Sequence, residues 1–286
     1  MEAIEIRNLT RTQGNFKLDI DKLDIKQGYI TGFIGANGAG KSTTIKLILD
    51  MIKKENGSVK IFGEEYDNDK KHITEEIGYM GDINGFYTES KLKNIKKYIS
   101  KFYKNWDEEL YKRYISLFSL DENKRYIKLS QGQRKQFELS ILLAHNPKLI
   151  ILDEPTANLD PLVRNTFLEI IQEHIEKHEA TVFYSTHITS DLDKVCDYVV
   201  LINNGKILLS EEKDYLLENY KIVRGSNDLI DSDTESCFVH YDKKSFGFEG
   251  LANYKEAYEM FGNEATYDKP SLEDLMMHFT RGTKYE

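Results

Sequence analysis

The sequence is poor in cysteine and proline and contains no long apolar run. Its two cysteines, Cys196 and Cys237, are far apart and outside any CxxC pattern, which excludes a disulfide framework and a cysteine metal centre. Four prolines and the lack of low-complexity tracts leave little room for a disordered linker. No apolar stretch reaches the roughly 18 residues of a membrane-spanning helix, and the first residues lack a signal-peptide pattern. These absences predict a cytoplasmic protein that does not cross a membrane by itself.

The sequence also has fewer positively charged residues than negatively charged ones. The 286 residues contain 39 Lys and Arg against 48 Asp and Glu, which gives a formal net charge of −9. That balance argues against a general affinity for nucleic acid or for an anionic membrane surface, although it does not exclude a local basic patch. With 40% hydrophobic residues, the chain is long enough for one large domain with a sizeable core and an appendage.

The first quarter of the sequence predicts strands followed by a strand–loop–helix unit. Apolar residues alternate with polar ones over residues 4–25, and a β-prone run at residues 30–34 leads into a glycine cluster. Residues 41–52 have helical spacing, and Asn56 with Gly57 indicates a turn before another short strand.

Later segments differ in character. Residues 88–145 are rich in Lys and Tyr and helical in pattern, which predicts an α-helical insertion whose lysines form a solvated face. An α/β rhythm then returns, with predicted elements at residues 149–152, 161–177, 181–185, 197–202 and 206–209. Beyond residue 210 we expect a helix at residues 211–220, short strands, and a final helix that starts after Pro270.

A phosphate-binding loop is indicated at residues 35–42. Its letters, GANGAGKS, fit the pattern G-x-x-x-x-G-K-[ST], with a β-prone run before it and a helical pattern after it. Glycines let backbone N–H groups wrap closely around phosphates, Lys41 supplies positive charge to the β- and γ-phosphates, and Ser42 offers a hydroxyl to Mg²⁺. The sequence therefore predicts nucleotide binding by these residues: Gly35, Asn37, Gly38, Gly40, Lys41, Ser42 and Thr43.

Polar residues follow two of the predicted strands. One apolar strand ends in Asp153 and Glu154, and a second is followed closely by His187. A buried parallel strand ends in this way where its carboxyl end faces a ligand. Asp153 would hold Mg²⁺, Glu154 would polarise the attacking water, and His187 would contact the γ-phosphate and help to position that water. An ordinary acidic loop is the alternative, and the phosphate loop upstream argues against it.

A further segment carries a family resemblance. The letters LSQGQ at residues 129–133 closely resemble the LSGGQ signature of ATP-binding cassette (ABC) proteins, with Gln131 in place of the first glycine. The letters PTANLD at residues 155–160 are similar to the D-loop of the same family. With the phosphate loop and the carboxylates in this order, the chain resembles an ABC-transporter nucleotide-binding subunit over roughly residues 2–220.

The resemblance implies a fold and a division of the chain. We expect a P-loop NTPase (RecA-like) core with an N-terminal antiparallel β subdomain, an α-helical insertion and a small C-terminal α+β appendage. The ABC ATPase domain would cover residues 1–210, with its helical subdomain at about residues 84–146. The appendage would cover residues 211–286 and would have a regulatory or dimer-stabilising role.

The resemblance also implies that ATP and Mg²⁺ are the cofactors and that two cassettes contact each bound ATP. In the family, the signature faces the ATP that another cassette binds, which places Ser130, Gly132 and Gln133 among the ATP contacts. Asp160 would lie across the seam of this head-to-tail dimer. A chain with one phosphate loop and one signature therefore needs a second cassette, either an identical copy or a sister chain.

Two positions depart from the family's pattern. Gln13 stands where the family usually has an aromatic residue against adenine, and Phe16 is near enough to replace it. Asp82 stands where the family usually has a glutamine near Mg²⁺ and the membrane subunit, and its carboxylate would still bind Mg²⁺ or its waters in a catalytic role. Phe86 and Tyr87 are candidates for the contact with the membrane subunit, with a plain core role as the alternative.

The resemblance implies the ATPase subunit of an exporter, bound to a membrane-spanning permease on the cytoplasmic face of the cell membrane. The insertion and the late segment SLEDLMMHFTRG resemble cassettes of low-GC Gram-positive bacteria that export amphipathic or antimicrobial peptides, including phenol-soluble modulins. Export of other small hydrophobic compounds or drugs is the alternative.

Two other classes of function are disfavoured. A soluble cassette ATPase acting on ribosomes or DNA would usually have two cassettes or long heptad coiled coils, and this acidic chain shows neither, so no nucleic-acid partner is expected. An ATP-binding regulator with little hydrolysis is disfavoured by the presence of Glu154 and His187.

Overall fold

The computed structural model describes residues 1–81 and 88–282 of the chain. Within them it confirms the predicted fold class, with a mixed α/β core, an N-terminal antiparallel sheet, a helical insertion and a C-terminal α+β unit. Asp82, Phe86 and Tyr87 lie outside the described residues, and the roles expected for them stay predictions. None of the helices in the described ranges has both the length and the apolar character needed to cross a membrane.

Strands and helices alternate along most of the chain. The strands are β1 (Glu2–Gln13), β2 (Phe16–Lys26), β3 (Ile30–Ile34), β4 (Asn56–Ile61), β5 (Ile77–Met80), β6 (Leu149–Asp153), β7 (Thr181–Thr186), β8 (Tyr198–Asn203), β9 (Lys206–Glu212), β10 (Tyr220–Gly225), β11 (Phe238–Lys244), β12 (Gly247–Asn253) and β13 (Thr266–Asp268). The helices are α1 (Lys41–Ile48), α2 (Tyr66–Glu75), α3 (Leu92–Ile99), α4 (Glu108–Leu117), α5 (Gln131–Ala144), α6 (Pro161–His178), α7 (Thr189–Val195), α8 (Lys213–Asn219), α9 (Ser232–Glu235), α10 (Tyr254–Phe261) and α11 (Leu272–Gly282).

The central sheet has the strand order β5-β6-β7-β3-β8-β9. Its strands run parallel except for β9, which is antiparallel to β8. β3, β6 and β7 are buried along their whole length, which accounts for the apolar runs of β3 and β6. Because parallel strands end at the same edge of a sheet, the loops that follow β3, β6 and β7 meet there and form the candidate site.

The N-terminal sheet, ordered β2-β1-β4, is antiparallel and packs its apolar face against α1. Leu18, Ile20, Leu23 and Ile25 of β2 are buried in one cluster with Ile45 of α1. The alternation seen in the sequence therefore marks the side of the sheet that supports the first helix after the phosphate loop.

The helical insertion has a core of its own, formed by α3, α4 and α5. Leu92 of α3, Tyr111 of α4 and Phe137 of α5 are buried in one cluster. Lys93 and Lys97 are exposed on α3, as predicted for a solvated face.

The C-terminal unit consists of α8 to α11 and an antiparallel sheet ordered β11-β12-β10-β13. Its main contact with the cassette is made by α11, which packs against α7. Leu272 and Leu275 of α11 belong to the same buried cluster as Leu192 and Val195 of α7. The C-terminal unit thus shares a hydrophobic core with the helix that follows His187.

The helix predicted at residues 41–52 is shorter than expected and ends at Ile48. Asp50 has a left-handed φ of 51°, and the N–H of Met51 returns to the carbonyl oxygen of Lys46 at 2.8 Å. These bonds close the helix end before the apolar pattern stops.

Two further local predictions differ from the structure, one in kind and one only in where a helix begins. Asn56 and Gly57 were expected to form a turn but lie in β4, where a Cβ at Gly57 would be 2.3 Å from the carbonyl oxygen of Asn8, so the glycine permits close strand pairing. The helix expected at residues 211–220 begins at Lys213, because the two preceding residues continue β9 and pair with β8.

Candidate active site

The loop at residues 35–42 leads from β3 into the first turn of α1. A Cβ at Gly35 would lie 2.4 Å from the carbonyl oxygen of Ile202, so glycine is needed for the loop to pass this close to β8. Gly40, the residue before α1, has a φ of 117°, a conformation that favours glycine. In the described residues no side chain caps α1, so its first N–H groups and the positive end of its dipole face the loop. This arrangement suits a phosphate.

Lys41 lies along this loop and is only 6% exposed. Its Nζ donates to the carbonyl oxygens of Gly35 at 2.7 Å and Ala36 at 3.3 Å, and lies 3.6 Å from Glu154 Oε1. The ammonium group is therefore held at the mouth of the loop by two carbonyls and one carboxylate. The other residues predicted to contact the nucleotide differ in exposure. Asn37, Gly38 and Ser42 are exposed, Thr43 is half-buried, and Gly35 and Gly40 are buried.

The carboxylate of Glu154, which follows β6, contacts the end of β7 and His187. Its Oε2 accepts from the Thr186 hydroxyl at 3.3 Å and lies 2.8 Å from His187 Nδ1. The same oxygen lies 3.4 Å from the His187 backbone nitrogen, which donates to it. Because the side chain of Glu154 is 20% exposed and that of His187 is 46% exposed, the pair is open to a water molecule. The arrangement can polarise a nucleophilic water.

Asp153 and Ser42 are the described residues expected to hold a metal ion. Asp153 is buried at the end of β6, and α1, which carries the exposed Ser42, contacts β6. A carboxylate and a hydroxyl are hard oxygen donors, which suit Mg²⁺ when phosphate oxygens and waters complete its shell. Across residues 1–81 and 88–282 no group of three or more His, Cys, Asp or Glu side chains is placed to hold a metal by itself, so phosphate would be needed.

Phe16 lies against the phosphate loop, whereas Gln13 does not supply a ring there. A Cβ at Gly40 would be 3.0 Å from Phe16 Cζ, and Phe16 is half-buried. Gln13 pairs with Phe16 across the β1–β2 turn and is exposed. The ring is therefore available near the loop, and its contact with adenine stays a prediction.

The signature residues bond within their own helix. The Ser130 hydroxyl accepts from the Gln133 N–H at 3.2 Å, and the Gln133 side-chain oxygen accepts from the Ser130 N–H at 3.2 Å, which forms a capping box at the start of α5. A Cβ at Gly132 would lie 3.9 Å from Leu159 Cδ2, so this end of α5 is near the D-loop segment.

Asp160 likewise serves as a cap. Its Oδ1 accepts from the N–H groups of Leu162 and Val163, each at 3.1 Å, at the start of α6. Among the described residues, no hydrogen bond or ion pair connects Ser130, Gln133 or Asp160 with loop 35–42. The phosphate loop, Glu154 and His187 are therefore in contact, whereas in the described part of the chain Ser130, Gln133 and Asp160 are not bonded to them.

Sequence reasoning missed a buried polar group next to this site. Thr156, Tyr184 and Asp191 bond to one another in the interior. Their letters carry no recognisable signal, because a tyrosine in an apolar strand and an acidic residue in a short helix usually indicate ordinary core and surface positions.

Three comparisons with known proteins agree with this geometry. A profile of the family described as "ABC transporter" matches residues 18–157. The bacitracin transport ATP-binding protein BcrA of Bacillus licheniformis is 36% identical over 221 residues, which cover 74% of this chain and 71% of that protein. The ABC transporter ATP-binding protein YtrB of Bacillus subtilis is 29% identical over 220 residues, which cover 76% of this chain and 74% of that protein. A solved ATP-binding subunit of an ABC transporter superposes with a TM-score of 0.68 at 25% identity and covers 76% of this chain and 92% of its own.

Proposed function

The chain belongs to the ABC transporter family as an ATP-binding subunit whose ATPase activity is coupled to transport, and on that premise we propose that it powers the export of amphipathic or antimicrobial peptides. Support for a peptide substrate comes from the relative that is named for the transport of bacitracin, which is a peptide. Export of other small hydrophobic compounds or drugs is the alternative that the experiment below must distinguish.

ATP would bind with its phosphates against loop 35–42. The uncapped N-terminus of α1 supplies N–H groups, and Lys41 would exchange its carbonyl contacts for phosphate oxygens. Ser42 and Asp153 would hold Mg²⁺, with Asp82 as a further candidate ligand, and the ion when bound neutralises phosphate charge. Phe16 would lie under the adenine.

Hydrolysis would depend on the pair formed by Glu154 and His187. A water attacks the γ-phosphorus, the bond to the β-phosphate oxygen breaks, and Glu154 takes the proton of the water. The observation that carries this proposal is the geometry of one carboxylate, which lies 2.8 Å from His187 Nδ1 and 3.6 Å from Lys41 Nζ. His187 orients the carboxylate, and Lys41 stands between it and the phosphates.

A second cassette and a permease would complete the machine. Ser130 and Gly132 would contact the γ-phosphate of the ATP that the other cassette binds, Gln133 would be a further ATP contact, and Asp160 would lie at the seam. ATP binding would close the pair of cassettes and hydrolysis would reopen it. A membrane-spanning permease would hold both at the cytoplasmic face of the membrane, and the C-terminal unit would stabilise or regulate the pair.

One experiment tests partner and substrate together. The tagged chain is purified from its native cells in mild detergent, and a polytopic membrane protein is expected in roughly equal amount. Cells that carry only the Glu154→Gln chain should then retain amphipathic peptides, measured by mass spectrometry, while efflux of hydrophobic dyes is unchanged. Normal peptide release with impaired dye efflux would replace peptide export with export of small hydrophobic compounds.

A further inference from the structure

The side-chain oxygens of Thr156, Tyr184 and Asp191 form a compact buried triangle in which both hydroxyls bond to the carboxylate. The Thr156 hydroxyl donates to Asp191 Oδ2 at 2.6 Å, and the Tyr184 hydroxyl donates to the same oxygen at 3.3 Å. The two hydroxyl oxygens are 3.0 Å apart. All three residues are at most 1% exposed. A buried carboxylate is costly unless its hydrogen bonds are made, so this set of groups tolerates little displacement.

The triangle joins the same three segments that hold the catalytic carboxylate. Thr156 is two residues after Glu154, Tyr184 is in β7, and Asp191 is in α7. Glu154 Oε2 in turn contacts the last residue of β7 and His187, which is two residues before α7. The contacts of Glu154 are open to the site and tie the turn after β6 to β7 and to the loop before α7. The contacts of Thr156 are buried and tie the same turn to β7 and to α7.

The backbone at Glu154 needs such an anchor. Its φ of 49° is left-handed, a conformation that a non-glycine residue keeps only when its surroundings fix it. The turn has few bonds of its own, since the Ala157 N–H reaches the Glu154 carbonyl at 3.4 Å and the Leu159 N–H reaches the Thr156 carbonyl at 3.1 Å. The Thr156 hydroxyl attaches this turn to α7.

Two features make Asp191 the centre of the triangle. Arg164 Nε of α6 lies 3.8 Å from Asp191 Oδ1, which adds the helix that begins after Asp160. Burial raises the pKa of the Tyr184 hydroxyl well above its ordinary value, so this group stays protonated and remains a donor to the carboxylate.

We propose that Asp191 is a positioning residue for ATP hydrolysis, which acts through Thr156 and Tyr184 to hold Glu154 against His187. The inference rests on the proposed role of that pair. Because no hydrogen bond in the described residues joins the triangle to loop 35–42, its loss should slow the chemical step and leave nucleotide affinity unchanged.

The test uses the full chain with one hydroxyl removed at a time. Thr156→Val and Tyr184→Phe should each lower kcat about tenfold with KM for ATP changed less than about twofold, because a small misplacement of the carboxylate weakens water activation. Thr156→Ser keeps the hydroxyl and should retain kcat within about threefold of the original chain. The matched control is Thr31→Val, since Thr31 is 1% exposed and its hydroxyl has no hydrogen-bond partner in the described residues.

A second readout does not need turnover. Hydrogen exchange of residues 154–157 and 186–191 should become faster in Thr156→Val, while exchange of loop 35–42 stays unchanged. Equal kcat in Thr156→Val and Thr31→Val, or exchange that rises evenly across the chain together with a loss of ATP affinity, would overturn the positioning role. Absence of ATP turnover in the original chain would count against the proposed function alone, because local exchange would still decide the positioning role.

Discussion

The phosphate loop and the signature segment both end at a helix N-terminus, yet the chain satisfies these two termini differently. In the described residues α1 follows Gly40 with no side-chain cap, whereas α5 follows Ser130, which forms a complete capping box. The first terminus therefore presents unpaired N–H groups and a buried lysine to a ligand. The second has its cap bonds made by its own side chains, and in the proposed two-cassette arrangement it would meet the ATP held by another chain.

In the proposed two-cassette arrangement, the half of the ATP site formed by the phosphate loop is the preorganised one. Lys41 and His187 already contact Glu154 within one chain. The Ser130 hydroxyl accepts from the Gln133 N–H and keeps its own hydrogen, so it can donate to a phosphate oxygen without loss of the cap.

The largest effect is expected for Lys41→Ala, which should weaken ATP binding by about 100-fold or more. The substitution removes the positive charge at the loop and leaves Glu154 without the nearby ammonium group. Equilibrium binding of a fluorescent ATP analogue measures the loss. Lys46→Ala, on the same helix, is the control and should bind normally. An affinity for Lys41→Ala within threefold of the original chain would contradict the role of the loop.

Glu154→Gln should lower turnover by about 100-fold and leave ATP affinity intact. The amide cannot take the proton of the attacking water, although it fills the same space. Because hydrolysis then fails to reopen the closed pair, an ATP-dependent dimer should accumulate, as measured by light scattering. Glu169→Gln, at an exposed position of α6, is the control. Near-normal hydrolysis by Glu154→Gln would remove that residue from its catalytic role.

Mixing two defective chains tests whether the phosphate loop of one chain and the signature of another form one ATP site. A Ser130→Arg chain keeps its phosphate loop but blocks its signature, and a Lys41→Ala chain has the reverse defect. Each alone should be inactive, and an equal mixture should regain about a quarter of the original ATPase rate, because half of the random dimers contain one complete site of two. If the chains associate in the mixture and no activity returns, the two half-sites do not combine across chains.

The smallest expected effect is on folding stability and involves a residue outside both the phosphate loop and the signature segment. Burial, together with nearby His178, lowers the pKa of His174 in α6 to about 4. The unfolded chain takes up this proton near its ordinary pKa and the folded chain does not, so folding stability present above about pH 6.5 is lost as pH falls towards 4. Between pH 7.5 and 5 the loss should be about 2 kcal/mol.

His174→Gln should remove that pH dependence from the free energy of unfolding, which urea titration at the two pH values measures. ATP affinity at pH 7.5 should be unchanged in this variant, because the ring nitrogens of His174 make no hydrogen bond in the described residues and none connects it with loop 35–42. A pH dependence identical to that of the original chain would show that His174 is not the titrating group.

Prediction from sequence was strongest where a local pattern carries its own chemistry. The α/β order, the phosphate loop and the carboxylates after β6 could be inferred, because glycine spacing and apolar runs reflect short-range geometry. Helix and strand ends were less accurate. α1 ends at Ile48 because backbone bonds close it, although the apolar pattern continues to Ile52, and Gly57 serves strand pairing instead of a turn.

Several elements had no readable pattern. α2 and α10 are short and rich in polar residues, and β12 contains two glycines, so periodicity alone did not mark them. The triangle of Thr156, Tyr184 and Asp191 was also missed, since its members are separated in the sequence and only the pairing of β6 with β7 brings them together.

The sequence by itself determined which groups the chain offers: a phosphate loop, a lysine, two carboxylates, a histidine and a signature. Their types and local spacing follow from the backbone geometry of strand–loop–helix units and of helix caps. Only the tertiary structure decided that the two carboxylate oxygens of Glu154 contact His187 and Lys41. It also decided that the side chains of Ser130 and Asp160 cap the helices that follow them. The physical reason is that parallel strand order sets which loops share an edge, and that order depends on contacts far apart in the sequence.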